Sequence, residues 1–163
     1  MVEDSRDKKK AIFESTLELV RERGFHGTPM SLVAKQADVA AGTIYHYFES
    51  KDHLICELYE YCREKVTAVI EASLKEEDSY QANFLRIWHG LYDFYVREPN
   101  ILIFFEQYIN SPFNHNKSAN YSRSALFTFF SEGIGKKTLK AAKPEILLLL
   151  VMSSISSTAK LHV

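Results

Sequence analysis

Residues 24–54 read GFHGTPMSLVAKQADVAAGTIYHYFESKDHL, and the fold turns on how that stretch is punctuated. Gly24 is a helix stop, and Thr28-Pro29 pairs a capping side chain with a first-turn proline, so a helix opens there carrying Leu32, Val33, Ala34 and Ala37. It breaks at Asp38-Val39-Ala40. A second short helix over residues 41–48 begins with Gly42-Thr43 and carries Ile44, Tyr45, Tyr47 and Phe48. Two short helices joined by a tight turn make a helix-turn-helix candidate. Ser50 then caps a much longer helix, with Leu54, Ile55, Leu58, Cys62, Val66, Val69 and Ile70 at helical spacing, which runs until the charged residues 75–78.

Upstream, Ile12, Phe13, Thr16, Leu17 and Val20 form the apolar stripe of an amphipathic helix over residues 8–23, with Asp4 or Ser5 as its cap. Downstream, residues 80–96 form an aromatic helix and Pro99 opens another that Ser111-Pro112 closes. Residues 114–120 read as a loop and residues 121–132 as a helix that Gly133 and Gly135 end or bend, and Pro144 starts the last helix. The expected class is all-α: a three-helix N-terminal domain over residues 1–55, joined by the long helix to a second helical domain over residues 56–163.

The composition, 46% hydrophobic and 25% charged over 163 residues, excludes a disordered, collagen-like or disulfide-scaffold chain. The charged start lacks the apolar core of a secretory signal, which points to a cytoplasmic protein. Residues 146–152 are the most apolar run, far short of the ~20 residues that span a bilayer, so they read as a buried helix face and no membrane partner is expected. Cys56 and Cys62, six apart on one helix, read as free thiols. No metal or cofactor is expected: His53 and Cys56 come nearest to a ligand pair and lack two further ligands. Nor is there a phosphate loop or a nucleophile–base constellation, so an enzyme is not expected.

Gly24-Phe25, Thr28, Val33-Ala34, Ala37, Val39, then Gly42-Thr43-Ile44-Tyr45-His46-Tyr47-Phe48, Ser50-Lys51 and Leu54 resemble, in order and spacing, the DNA-binding domain of the TetR (tetracycline repressor) family of bacterial transcriptional regulators. The resemblance covers about residues 10–58 and implies double-stranded operator DNA as partner. It implies that Thr28 contacts phosphate, that Thr43, Tyr45, His46, Tyr47 and Lys51 are the main DNA contacts, and that Ala41 and Gly42 approach base edges. The residue types agree. A recognition helix needs donors on its exposed face, while Ile44 and Phe48, four apart, pin it to the helices behind. Lys51 opposes the dipole of its own helix yet adds to an anion-attracting terminus.

Two positions depart from the family pattern. Asp38 stands where the family usually has glycine, at a turn residue suited to positive φ. Ala40 and Ala41 offer no side-chain hydrogen bond, which leaves base readout to Tyr45, to thymine methyl contacts by alanine, to DNA shape, or to Lys8, Lys9 and Lys10 reaching a phosphate or the minor groove.

Residues 84–113 hold nine aromatics, more than twice the density of the whole chain. The resemblance implies an apolar effector pocket in the second domain, for which Trp88, Tyr92, Tyr95, Phe104 and Tyr108 are the candidate lining, with His89 and Gln107 as polar contacts. It also implies a homodimer, through residues 144–163 and the helix around residues 126–130, and commonly a further helix beyond residue 163. The expected function is a ligand-responsive repressor released from a palindromic operator by a small lipophilic or aromatic effector. The alternative is a helical small-molecule-binding protein with weakened or lost DNA binding, motivated by Ala40, Ala41 and a net charge of −1. Even residues 1–54 hold eight basic and nine acidic groups, so placement matters more than total: residues 39–48 contain no acid.

Overall fold

A computed structural model describes residues 2–115 and 122–163. Among the described residues eight α-helices follow one another: α1 Val2–Arg23, α2 Met30–Gln36, α3 Ala41–Tyr47, α4 Lys51–Ser73, α5 Tyr80–Arg97, α6 Pro99–Ile109, α7 Ala125–Gly135 and α8 Pro144–Ala159, with a closing 3₁₀ turn Lys160–His162. The all-α reading holds, and the described residues contain no strand. No glycine or proline separates Val2 from the rest of α1, so Asp4 and Ser5 lie inside the helix rather than capping it. The expected loop over residues 114–120 and the expected helix start at Tyr121 fall mostly outside the described residues.

Gly24 ends α1 at φ +66, and its N–H donates to the Val20 carbonyl at 2.9 Å, an αL termination that a β-carbon would strain. Pro29 takes the extended N-cap position of α2. Thr28, expected to cap that helix, turns back instead, and its Oγ1 donates to the Gly24 carbonyl at 2.8 Å.

The chain divides into two compact units, Met1–Tyr61 with Asn100–Asn114, and Cys62–Pro99 with His115–Val163. The division falls inside α4, a few residues beyond the expected boundary. It also moves α6, expected in the second domain, into the first unit. The reason is local: Gln107 Nε2 donates to the Val20 carbonyl at 3.0 Å, Phe104 packs edge-on against Phe25 at 5.8 Å, and Tyr108 stacks on Tyr59 at 4.5 Å. Ile12, Phe13, Leu17, Val33, Ile44, Phe48, Ile55, Leu58 and Ile101 fill the core of this unit.

In the second unit α8 packs on α5 and α7. Cys62, Ile70, Ile87, Leu91, Tyr95, Leu126, Phe130, Leu148, Ile155 and Ala159 are among its buried side chains. The expectation of a buried run at residues 146–152 is corrected here: Leu148 is buried, whereas Ile146, Leu149 and Leu150 are exposed. One stripe of α8 packs on α5 and α7, while Ile146, Leu149 and Leu150 stay exposed among the described residues. The 19 residues Pro144–His162, which contain an 18-residue window of mean hydropathy 1.3, are also long and apolar enough to cross a membrane by length and composition alone. Serine and threonine lower hydropathy only mildly, so the apolar segment continues past Ser153 and Ser154.

Candidate nucleic-acid interface

The turn between α2 and α3 is built by Asp38, whose φ of 52 lets the Val39 N–H reach back to the Ala34 carbonyl at 3.0 Å. A positive φ at this position is what the departure from glycine suggested. Ile44 and Phe48 are fully buried, with Phe48 against Phe13 of α1 at 5.5 Å and His53 of α4 at 6.0 Å. Two buried anchors four residues apart fix which face of α3 points outward. On that outward face Ala41, Gly42, Tyr45 and His46 are exposed, Tyr45 by 57%, with Thr43 and Tyr47 half-buried beside them. The His46 and Tyr47 rings meet edge to face at 5.6 Å. No carboxylate lies between Val39 and Phe48, so the face offers donors and apolar groups without a charge that repels phosphate.

The start of α4 continues this surface. Ser50 Oγ accepts from the His53 N–H at 3.1 Å, the expected cap, and the Glu49 N–H donates to His53 Nδ1 at 3.3 Å. Lys51 is half-buried, its ammonium donates to the Phe25 carbonyl, and burial pulls its pKa below the usual lysine value against the opposing pull of Asp52.

Two expected contacts are placed differently. Thr28 is buried with its hydroxyl committed to Gly24, which makes it a brace for the α1–α2 loop rather than a group presented to phosphate. Lys9 donates to Glu57 at 2.9 Å and lies over the Phe13 and Phe48 rings at 5.6 and 5.7 Å, so of the run 8–10 it is a prop for the core. Lys10 is exposed.

The expected effector-lining residues divide between the two units. Phe104, Gln107 and Tyr108 belong to the first unit, where Phe104 and Tyr108 are core and Gln107 holds α1. Trp88, His89, Tyr92 and Tyr95 belong to the second. Tyr95 is buried, and Trp88 stacks on Tyr92 at 5.8 Å while its Nε1 donates to Ser154 Oγ of α8 at 3.0 Å. An aromatic run at helical spacing records burial and does not say which core each ring enters.

The second unit instead carries an open cavity of about 970 Å³ at the C-terminal half of α4, the start of α5 and the faces of α7. Ile70, Leu74, Ala125 and Phe129 line it with apolar surface, and Lys75, Glu71, Arg123 and Glu132 give it charge. Tyr80 is its organising side chain, stacked on Phe129 at 4.3 Å with its hydroxyl donating to the Phe129 carbonyl at 3.3 Å. A β-carbon at Gly133 would come within 2.5 Å of that hydroxyl, so the glycine makes the notch the ring occupies. Burial first, then Glu132, pushes the Tyr80 phenol up to about 12.

Residues 12–58 match the family profile of bacterial regulatory proteins of the tetR family, and residues 79–163 match that of the tetracyclin repressor-like C-terminal domain. The chain belongs to the TetR family. An HTH-type transcriptional regulator of Haemophilus influenzae, itself uncharacterised, is 28% identical over 145 residues, 89% of this chain and 77% of the relative. A TetR family regulator from Marinobacter aquaeolei has the same fold, with a TM-score of 0.89 at 23% identity over 98% of this chain and 85% of that one. The regulator FadR of Bacillus subtilis, solved in complex with stearoyl-CoA, aligns with a TM-score of 0.70 at 22% identity over 92% and 84% of the two chains. As a TetR family member this chain is a helix-turn-helix transcriptional regulator, and α2 and α3 are its DNA-binding motif.

Within that TetR frame, sequence reasoning missed the residues around the cavity. Gly133, expected with Gly135 to end or bend the helix, is a packing notch for Tyr80 near the end of α7.

Proposed function

We propose that this TetR family chain is a ligand-responsive repressor that binds a palindromic operator as a two-fold dimer and is released by a small amphipathic effector. The observation that carries the DNA half is the acid-free outward face of α3, with Tyr45 and His46 exposed on a helix anchored by Ile44 and Phe48. A two-fold dimer sets two such helices about one DNA turn (~34 Å) apart.

Two features support the effector half. The cavity of the second unit is large enough for a drug-sized or acyl ligand, and its apolar lining with charges at hand suits a molecule with an apolar body and a polar end. The FadR neighbour carries such a molecule, stearoyl-CoA. Effector and operator are then coupled reciprocally, each weakening the other by the same factor.

Retardation of DNA from the upstream region of the chain's own gene, measured across a salt series, tests the reading. Retardation that weakens steeply with salt is expected, with Lys51→Ala weakening all sequences alike and Tyr45→Ala also relaxing sequence preference. Failure to retard any genomic fragment at low salt overturns it. Long-chain acyl-CoA is the first effector to try, and equal affinity for free and DNA-bound protein excludes it.

A further inference from the structure

We infer that Phe113 is a positioning residue for DNA binding: together with Phe104 it clamps the Phe25 ring, so that the Phe25 carbonyl holds the Lys51 ammonium at the first turn of α4. The inference rests on the DNA-binding reading above and adds to it a residue far from the motif in sequence.

The Phe25 ring is buried between Phe104 at 5.8 Å and Phe113 at 5.1 Å, both edge-on. Phe113 is itself tethered, because the Tyr108 hydroxyl donates to its carbonyl at 3.3 Å and the Ser111 N–H closes the turn onto the Tyr108 carbonyl at 3.0 Å. The Phe25 carbonyl accepts the Thr28 N–H at 3.2 Å and the Lys51 ammonium. That carbonyl is therefore fixed from both ends, by its ring and by its turn. An ammonium has three protons, and one bond to Phe25 leaves two for a phosphate oxygen.

A free lysine loses much of its rotamer freedom when it engages a phosphate. A lysine already tethered to a rigid carbonyl has lost it before DNA arrives, which raises affinity without adding a contact. Lys51 is half-buried and its pKa is lowered by that burial, consistent with an ammonium kept close to the protein.

A double-mutant cycle tests the idea, with a fluorescein-labelled duplex of the upstream region as probe. Phe113→Ala is expected to weaken binding about fivefold, a fraction of what freezing a lysine costs, and Phe113→Tyr, which keeps the ring, to restore it. In a Lys51→Ala background Phe113→Ala is expected to change affinity by less than about twofold, because the group it positions is gone. A further fivefold loss in that background overturns the proposal, since it assigns Phe113 to general packing. Phe113→Leu replaces the alanine variant if circular dichroism shows lost helix.

A second readout needs no DNA. In ¹³C-lysine NMR the Lys51 side chain is expected to titrate at a higher pH in Phe113→Ala than in the parent, and an unchanged titration also overturns the clamp. If the parent protein fails to bind any duplex but the NMR shift appears, the DNA reading falls while the clamp stands as a structural one.

Discussion

Asp38 holds φ 52 in the α2–α3 turn, a region that costs an L-residue roughly 1–2 kcal/mol and glycine little. Its carboxylate is exposed, so replacing it removes no buried contact. Asp38→Gly is expected to raise stability by about 1 kcal/mol and Asp38→Val to lower it by more, as read by urea denaturation. Gly42 is the opposite case. A β-carbon there meets nothing within 4 Å, so the isolated protein has no use for a glycine at this position. If α3 enters the major groove, the empty space belongs to the DNA. Gly42→Ala is therefore expected to leave the melting temperature unchanged or slightly raised, since alanine is the better helix former. The same variant is expected to weaken operator binding about tenfold, the scale of one misfit at a base edge. Unchanged binding places the DNA elsewhere on α3.

At the scale of elements, α5 and α7 are joined by Tyr80 seated on Phe129 over the Gly133 notch. The fold raises the Tyr80 pKa from 10.0 to about 12, so it favours the neutral phenol. The stabilisation is present in full below about pH 10 and lost as the pH climbs towards 12. Titrated by phenolate absorbance, Tyr80→Phe is expected to remove one late-ionising tyrosine from the curve of the parent. The helix-turn-helix was legible in sequence because its signals are local: Gly24, Thr28-Pro29, the break at Asp38 and the buried pair Ile44 and Phe48 each act within a few residues. The partners of α6 were not legible. Helical periodicity tells that Phe104 and Tyr108 face a core, but not that the core is built by Phe25 and Tyr59 in the N-terminal unit. The cavity was missed for the same reason, because it depends on a glycine and a tyrosine 53 residues apart being brought together.

For the whole molecule, a net charge of −1 gives no general attraction to DNA, and in the proposed two-fold dimer affinity comes from two correctly spaced interfaces acting together. The exposed apolar residues of α8, Ile146, Leu149 and Leu150, with Leu161 beyond them, supply a surface on which two copies can pair. A large apolar stripe left in water is unfavourable at about 25 cal/mol per Å², which favours covering it. Leu150 is 64% exposed in the single chain, so Leu150→Glu removes little packing from its own fold. The variant is expected to keep its helix content, to sediment as a monomer where the parent sediments as a dimer, and to bind operator at least about 100-fold more weakly. The size of that loss separates two roles for α8. A monomer with full affinity means that each helix-turn-helix binds alone, whereas a dimer that persists assigns pairing to another surface, with the α7 segment around residues 126–130 the next to substitute.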